Sequence, residues 1–213
     1  MDSKGLRLDD IHIALAGARL LSISHHVAPG EVLTVMGPSG SGKSTLLAFV
    51  GGFLDPAFDA TGKVFIDGDN LTCAPAEDRH VGILFQDPLL FPHMTVAGNL
   101  MFALPPAVRG RTSRREHARR ALEGVDLAGF DERDPDTLSG GQKARVALAR
   151  VLIAEPRALL LDEPFSKLDA ALRRQMRELV FAKARGQGLP TLLVTHDEAD
   201  AEAAGGTIIR LGE

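Results

Sequence analysis

The chain of 213 residues has no tryptophan, no tyrosine and one cysteine. A lone Cys73 forms neither an internal disulfide nor a cysteine zinc site, so a reducing compartment suits the chain and Cys73 reads as a small, half-buried filler. A basic excess is missing too. The formal net charge of −4 gives no global reason to expect a nucleic-acid ligand, so any phosphate has to be bound locally. No window approaches eighteen uninterrupted apolar residues, and the opening "MDSKGLRLDD" has no long apolar core, so neither a transmembrane helix nor a secretory signal is expected. Internal repeats and low-complexity tracts are also absent.

What is present is 45% hydrophobic and 24% charged, the balance of a soluble α/β protein. The length allows one core, or one core with a subdomain, but not two independent enzymes. Short alternating runs between Leu6 and Val35, broken at Gly17 and at Ala28–Gly30, read as strands, as does "GKVFIDG" from Gly62 to Gly68. Four further segments, "EVLTVMG", "VGILFQ", "ALLLDE" and "TLLVTH", are apolar for a few residues and stop at a polar group. Runs without alternation belong to strands covered on both faces, as in parallel sheets. Helical patterns at Lys43–Phe49, Ser139–Ile153 and Asp169–Arg185 separate them in βα order. Gly37, Gln86, Asp162, Glu163 and His196 therefore fall at strand carboxyl ends, where open α/β sheets hold ligands. From about Pro88 to Glu155 no such strand occurs, which marks a helical insertion. "TIIRLG" reads as the closing strand, with no room for a C-terminal regulatory domain.

"GPSGSGKST", formed by Gly37, Pro38, Ser39, Gly40, Ser41, Gly42, Lys43, Ser44 and Thr45, matches G-x-x-x-x-G-K-[ST] between a strand and a helix. Its glycines let successive N–H groups face phosphates, Lys43 adds a point charge, and the Ser44 hydroxyl can complete a magnesium shell. "ALLLDEP" delivers two carboxylates at a strand end: Asp162 to reach magnesium and Glu163 to act as general base on an attacking water. His196 is placed as a γ-phosphate sensor or water-positioning partner of Glu163. Gln86 offers a neutral amide to magnesium or to the water.

"LSGGQKARVALARVL", from Leu138, looks like a second anion loop. Ser139 stands as the N-cap of a helix, with Gly140, Gly141 and Gln142 in its first turn, so free N–H groups and a helix dipole face something negative. It lacks the phosphate-cradling lysine and the metal ligand that a complete site needs. The six arginines between Arg109 and Arg120 read as the solvated face of a helix, because no aromatic interleaves them. Met94 and Met101 read as core filler, and the adjacent His25 and His26 point to opposite faces of a strand.

Taken together, "GPSGSGKST", Gln86, "LSGGQ", "ALLLDEP", "SKLD" and His196, in this order, resemble the ATP-binding subunit of an ABC transporter along essentially the full length. The stretch Phe85–Leu100 is similar to subunits of bacterial small-solute importers, and within the family the chain is most similar to the YnjD-like group. The resemblance implies an α/β P-loop NTPase fold: a RecA-like core with a mainly parallel sheet and an antiparallel β subdomain (about 1–87 and 156–213), and a helical subdomain (about 88–155) carrying the signature loop. It implies ATP and Mg2+, and a head-to-tail pair of copies in which Ser139, Gly140 and Gly141 of one bind the γ-phosphate held by Lys43 of the other, while Asp169 runs along the seam. It also implies transmembrane permease subunits docking on the groove after Gln86, a solute-binding protein in the complex, no nucleic acid, and a place on the cytoplasmic face of the inner membrane.

Two departures stand out. Leu15 occupies the position where the family stacks adenine on an aromatic, so an aliphatic contact replaces stacking. Lys167 replaces a small residue in the "SxLD" turn. A soluble ABC-type ATPase acting on nucleic acid or ribosomes is the alternative, but it usually has paired cassettes, zinc cysteines or coiled-coil insertions, none of which is here. A nucleotide switch without turnover is disfavoured by Glu163 and His196.

Overall fold

The computed structural model describes residues 4–212; the first three residues of the amino-terminal stretch read above lie outside them. The chain gathers into two compact units. The first comprises Met1–Ile83, Arg157–Glu163 and Phe181–Glu213, and the second Leu84–Pro156 and Pro164–Val180.

The first unit holds both sheets. An antiparallel sheet has the order β2-β1-β4-β5, with β1 Leu6–Leu15, β2 Ala18–Val27, β4 Phe58–Ile66 and β5 Asp69–Asn70. The strand expected at Gly62–Gly68 thus begins four residues earlier, because it is held along its length by β1, from Leu6 opposite Ile66 to Leu15 opposite Phe58. Burial in β1 changes phase: Leu6 and Leu8 point inward, then Ile11 and Ile13. A register irregularity between Leu8 and Ile11 absorbs the extra residue, which keeps both apolar pairs on the core face.

The second sheet has the order β6-β7-β8-β3-β9, with β3 Val32–Met36, β6 Val81–Leu84, β7 Ala158–Asp162, β8 Thr191–Val194 and β9 Thr207–Arg210. β3 is parallel to β8 and β9, and β7 to β8. Every residue of β3 and β8 is buried, as two-sided covering requires. Helix α1, Lys43–Gly51, lays Leu46, Leu47 and Val50 into the same core as Leu33, Val35, Leu160 and Val194. Each such side chain contributes about 1.5–3 kcal/mol by leaving water. The carboxyl end of α1 is closed by Arg79, which sequence inspection passed over. Its guanidinium is buried and donates to the carbonyls of Phe49, Val50, Thr72 and Ala74 at 2.8–2.9 Å. Burial pushes its pKa down.

The second unit is helical: α2 Val96–Ala103, α3 Arg111–Glu123, α4 Gly140–Ile153 and most of α5 Ala170–Gly186. α2, α3 and α4 pack against one another, and Leu100, Ala118, Leu122, Val146 and Leu148 on them are buried. The α3 arginines are largely exposed and partnered. Arg120 pairs with Glu116 at 3.1 Å, Arg119 with Glu116 at 3.4 Å, Arg115 with Glu132, and Arg114 donates to the Val108 carbonyl at 2.8 Å. Two minor expectations fail. Cys73 is exposed, because it sits in the loop after Leu71 rather than in a strand. Met94 and Met101 are half-buried at the rim of α2, whose core positions go to Val96, Ala97, Asn99 and Leu100.

α6, Glu198–Ala204, completes the described elements and belongs to the first unit.

Candidate functional site

In the first unit the stretch after β3 turns through Gly40 and Gly42, at φ 83° and 88°, and enters α1 at Lys43. Left-handed glycines between ordinary residues turn neighbouring N–H groups toward one centre, the geometry of an anion nest. The Lys43 ammonium is buried inside this loop and donates to the Gly37 and Pro38 carbonyls, each at 2.8 Å. An ammonium has three donors, so these two bonds fix its position and leave the third for a phosphate oxygen. The Ser41 hydroxyl is buried in the loop without a hydrogen-bond partner, a polar atom oriented for a ligand.

Ser44 Oγ donates to Asp162 Oδ1 at 3.0 Å, joining the first turn of α1 to the end of β7. The Asp162 carboxyl lies above the ordinary value of 3.8. Burial is the chief cause; the Ser44 hydroxyl opposes it, the Glu163 carboxylate adds to it, and Lys43 opposes it. A hydroxyl and one carboxylate at the foot of a phosphate nest form a hard oxygen set. This suits Mg2+, which takes few protein ligands and completes its shell with phosphate and water. Among the described residues there is no cluster of three or more His, Cys, Asp or Glu that would build a metal cage without a nucleotide.

Glu163 leaves β7 with a left-handed backbone, φ 45°, while its N–H donates to the Val194 carbonyl at 2.9 Å. A non-glycine residue there is strained and persists only where neighbours enforce it, as they often do at sites of chemistry. Its Oε2 lies 3.1 Å from His196 Nδ1. Because β7 and β8 are sheet neighbours, the two strand ends bring these side chains together. The turn bearing His196 is held by a buried bond from Thr195 Oγ1 to Asp200 Oδ2 at 2.7 Å, and Asp197 N donates to Thr195 Oγ1 at 3.1 Å. Asp200, two turns of sequence beyond the strand, gave no motif signal; only its burial reveals it.

Gln86, Ser139–Gln142, Lys167 and Asp169 belong to the second unit. Ser139 and Gln142 form a reciprocal capping box at the start of α4: Gln142 N donates to Ser139 Oγ at 3.3 Å, and Ser139 N to Gln142 Oε1 at 3.0 Å. Ser139 Oγ acts as acceptor in that box, so its O–H remains a donor. Gly141 is packed against a side chain, since a Cβ there would lie 2.4 Å from Leu172 Cδ2 and the half-buried leucine would have to turn aside. Gly140 is not: a Cβ there would meet nothing within 4 Å. Asp169 caps α5, accepting from Ala171 N at 3.1 Å and Leu172 N at 3.0 Å.

Gln86 is exposed in the bend after β6 and lines a cavity of about 160 Å³ with Gly140, Lys143, Ala144, Lys167 and Leu168. Lys167 Nζ pairs with Asp87 Oδ1 at 2.5 Å, which ties the "SKLD" turn to the residue after Gln86. Arg150 on α4, also unremarked in the sequence, donates to the carbonyls of Leu89 at 2.8 Å and Pro88 at 3.1 Å and lies 5.4 Å over the Phe91 ring. Burial pushes its pKa down. Phe91 meets Phe102 edge-on at 5.0 Å, and Leu89 and Phe102 are exposed at 57% and 65%, an apolar surface on this unit.

Comparisons with known proteins match this arrangement. The family model described as ABC transporter matches residues 20–166. The uncharacterized ABC transporter ATP-binding protein YnjD of Escherichia coli K12 is 45% identical over 199 residues, 93% of this chain and 91% of that protein. The taurine import ATP-binding protein TauB of Pseudomonas fluorescens is 44% identical over 92% of this chain and 73% of its own length. The Fe(3+) ions import ATP-binding protein FbpC 1 of Haemophilus influenzae is 44% identical over 84% of this chain, which spans only 54% of that longer protein. The solved dimeric structure of MJ0796, a bacterial ABC transporter cassette, is similar with a TM-score of 0.80 and 30% identity, covering 97% of this chain and 94% of that one. The family match over residues 20–166 and the 45% identity to a full-length relative show that this chain belongs to the ABC transporter family as an ATP-binding subunit.

Proposed function

We propose that the chain is the ATP-hydrolysing engine of a membrane transporter, importing a small solute, and that two copies close head to tail around ATP. The observation that carries the pairing is the open Gly140. The capping box and the close approach of Leu172 account for Ser139, Gln142 and Gly141 within the chain, whereas the bare Cα of Gly140 faces open space. A glycine with no internal reason, at a helix N-terminus whose nearest cation, Lys143, faces Asp136 at 3.5 Å, fits a phosphate brought by another copy.

In each site the nest N–H groups and the third donor of Lys43 bind and orient the triphosphate. Ser44 and Asp162 would hold Mg2+, which neutralises charge on the phosphate oxygens when bound. Glu163 takes the proton of the attacking water, and His196 Nδ1 holds Oε2 so that the carboxylate keeps its aim. Ser139 O–H and the Gly140 and Gly141 N–H groups close on the γ-phosphate from the other copy. Asp169, which anchors α5, keeps the "SKLD" turn at the seam.

On this division of labour the chain has a catalytic core of about 1–87 and 156–213 and a helical subdomain of about 88–155; Pro164–Val180, which gathers with the helices because α5 packs there, departs from those bounds. The surface of Leu89, Phe91 and Phe102, stiffened by Arg150, receives a permease subunit. No described helix is long and apolar enough to cross a membrane, so attachment is through that subunit at the cytoplasmic face, with a solute-binding protein completing the complex. Taurine and Fe(3+) import relatives support import of a small solute.

The test mixes Ser139→Arg with Lys43→Ala. Each variant alone is inactive, but a mixed pair has one site free of both changes and regains part of the turnover. No recovery on mixing would sink the head-to-tail pairing.

A further inference from the structure

The chain has ten phenylalanines and no other aromatic except histidine, and the position expected to stack a base is Leu15. In the first unit a cavity of about 390 Å³ has two chemically distinct ends. One end is Ser39, Gly40 and Lys43–Thr45, the phosphate nest; the other is Leu15, Leu20 and Phe58. Phe58 opens β4 directly opposite Leu15, the last residue of β1. Opposite residues of an antiparallel pair project to the same face with Cβ atoms about 4.5–5.5 Å apart. The ring therefore stands beside the place where the sequence put the missing aromatic. It is only half-buried, and its backbone is set by a turn in which Phe58 N donates to Asp55 O at 3.0 Å. The base end is also fixed to the phosphate end: a Cβ on Gly42 would lie 3.0 Å from Leu21 Cδ2 and 3.3 Å from Leu20 Cβ.

We propose that Phe58 is the stacking platform for the nucleotide base, the aromatic role having crossed from β1 to its partner β4, with Leu15 and Leu20 as the apolar walls. The assignment rests on the nucleotide reading above and corrects the expectation of a purely aliphatic contact at Leu15. None of the three side chains carries a hydrogen-bonding group, so they recognise the π-face of a purine and not its edge. ATP and GTP accordingly bind within a few-fold of each other.

The absence of tryptophan makes a direct test available. Phe58→Trp places the sole indole of the full chain in the cavity; ATP and GTP quench its emission, and inorganic tripolyphosphate does not. Phe58→Ala weakens ATP binding by about 5- to 150-fold, the range for losing one base–aromatic stack, while tripolyphosphate binds as to wild type. Phe58→Leu, which keeps apolar bulk, shows the same selective loss, and Phe58→Tyr restores ATP affinity. Unchanged ATP affinity in Phe58→Leu, or equal loss of ATP and tripolyphosphate, would overturn the assignment. If wild type bound tripolyphosphate and ATP with equal strength, no base subsite would exist, whereas failure to bind either would overturn the nucleotide reading itself and this assignment with it.

Discussion

Glu163 Oε2 lies 3.1 Å from His196 Nδ1, and both sit at the ends of adjacent parallel strands. The contact couples a carboxylate in a strained backbone to an exposed imidazole. Glu163→Gln keeps ATP binding and loses hydrolysis by about 10²–10⁴-fold, the contribution of a general base, so an ATP-bound dimer accumulates on size-exclusion chromatography. Wild-type turnover in that variant would remove Glu163 from the chemistry.

Asp162 predicts a pH effect whose sign is opposite to that of most carboxylates. Its folded value is raised above 3.8, mainly by burial. The folded chain therefore binds more protons than the unfolded chain in the window just above 3.8, and the stability contributed by the protonated carboxyl is lost as pH rises through the folded value. Asp162→Asn mimics the protonated group and keeps the acceptor for Ser44. In metal-free buffer it melts above wild type at neutral pH, and the gap closes as pH falls toward the ordinary carboxylate range, while hydrolysis is lost. A gap independent of pH would refute the assignment to this carboxyl.

The two glycines of the signature loop should part company. A methyl on Gly141 meets Leu172 and one on Gly140 meets nothing. Both gain the same helix propensity, so the comparison isolates packing, and Gly141→Ala melts below Gly140→Ala by the equivalent of about 1–3 kcal/mol. Gly140→Ala melts at or above wild type yet turns over ATP more slowly, because the methyl stands where the γ-phosphate approaches. Full turnover with unchanged melting would show that the open face is not used.

Lys167 and Asp87 are half-exposed at 51% and 58%, so their 2.5 Å pair is worth less than about 1 kcal/mol. Lys167→Ala lowers Tm by less than about 4 °C, a chain of this size losing about 2–4 °C per kcal/mol. High salt removes most of the difference. A larger drop, or one insensitive to salt, would mean that the aliphatic stem of Lys167 packs in the adjoining cavity.

Much of the fold was legible because its strands carry strong signals. β3, β7 and β8 are apolar at nearly every position, and each runs into the site: Gly37 follows β3, Asp162 ends β7, and His196 stands two residues past β8. The phosphate nest is legible for a related reason, since glycine, lysine and serine at fixed spacing have few other uses. What escaped reading depends on contacts distant in sequence. Arg79 and Arg150 look like surface charges until they are seen gathering carbonyls about 30 and 60 residues away. Phe58 was passed over because its register with Leu15 depends on a bulge near Asp10 that the alternation of β1 does not announce. Cys73 was misplaced for the same reason: burial in a loop is not a property of the local sequence.

The left-handed backbone of Glu163 has an evolutionary corollary. At φ 45° a residue with a side chain is less comfortable than glycine or asparagine, so substituting either would relieve the turn after β7. Selection for thermal endurance alone would thus drift position 163 away from the carboxylate and yield a hardier protein that grips ATP and seldom releases it. The glutamate found there sits against what the fold would otherwise prefer, and turnover is what it gives in return.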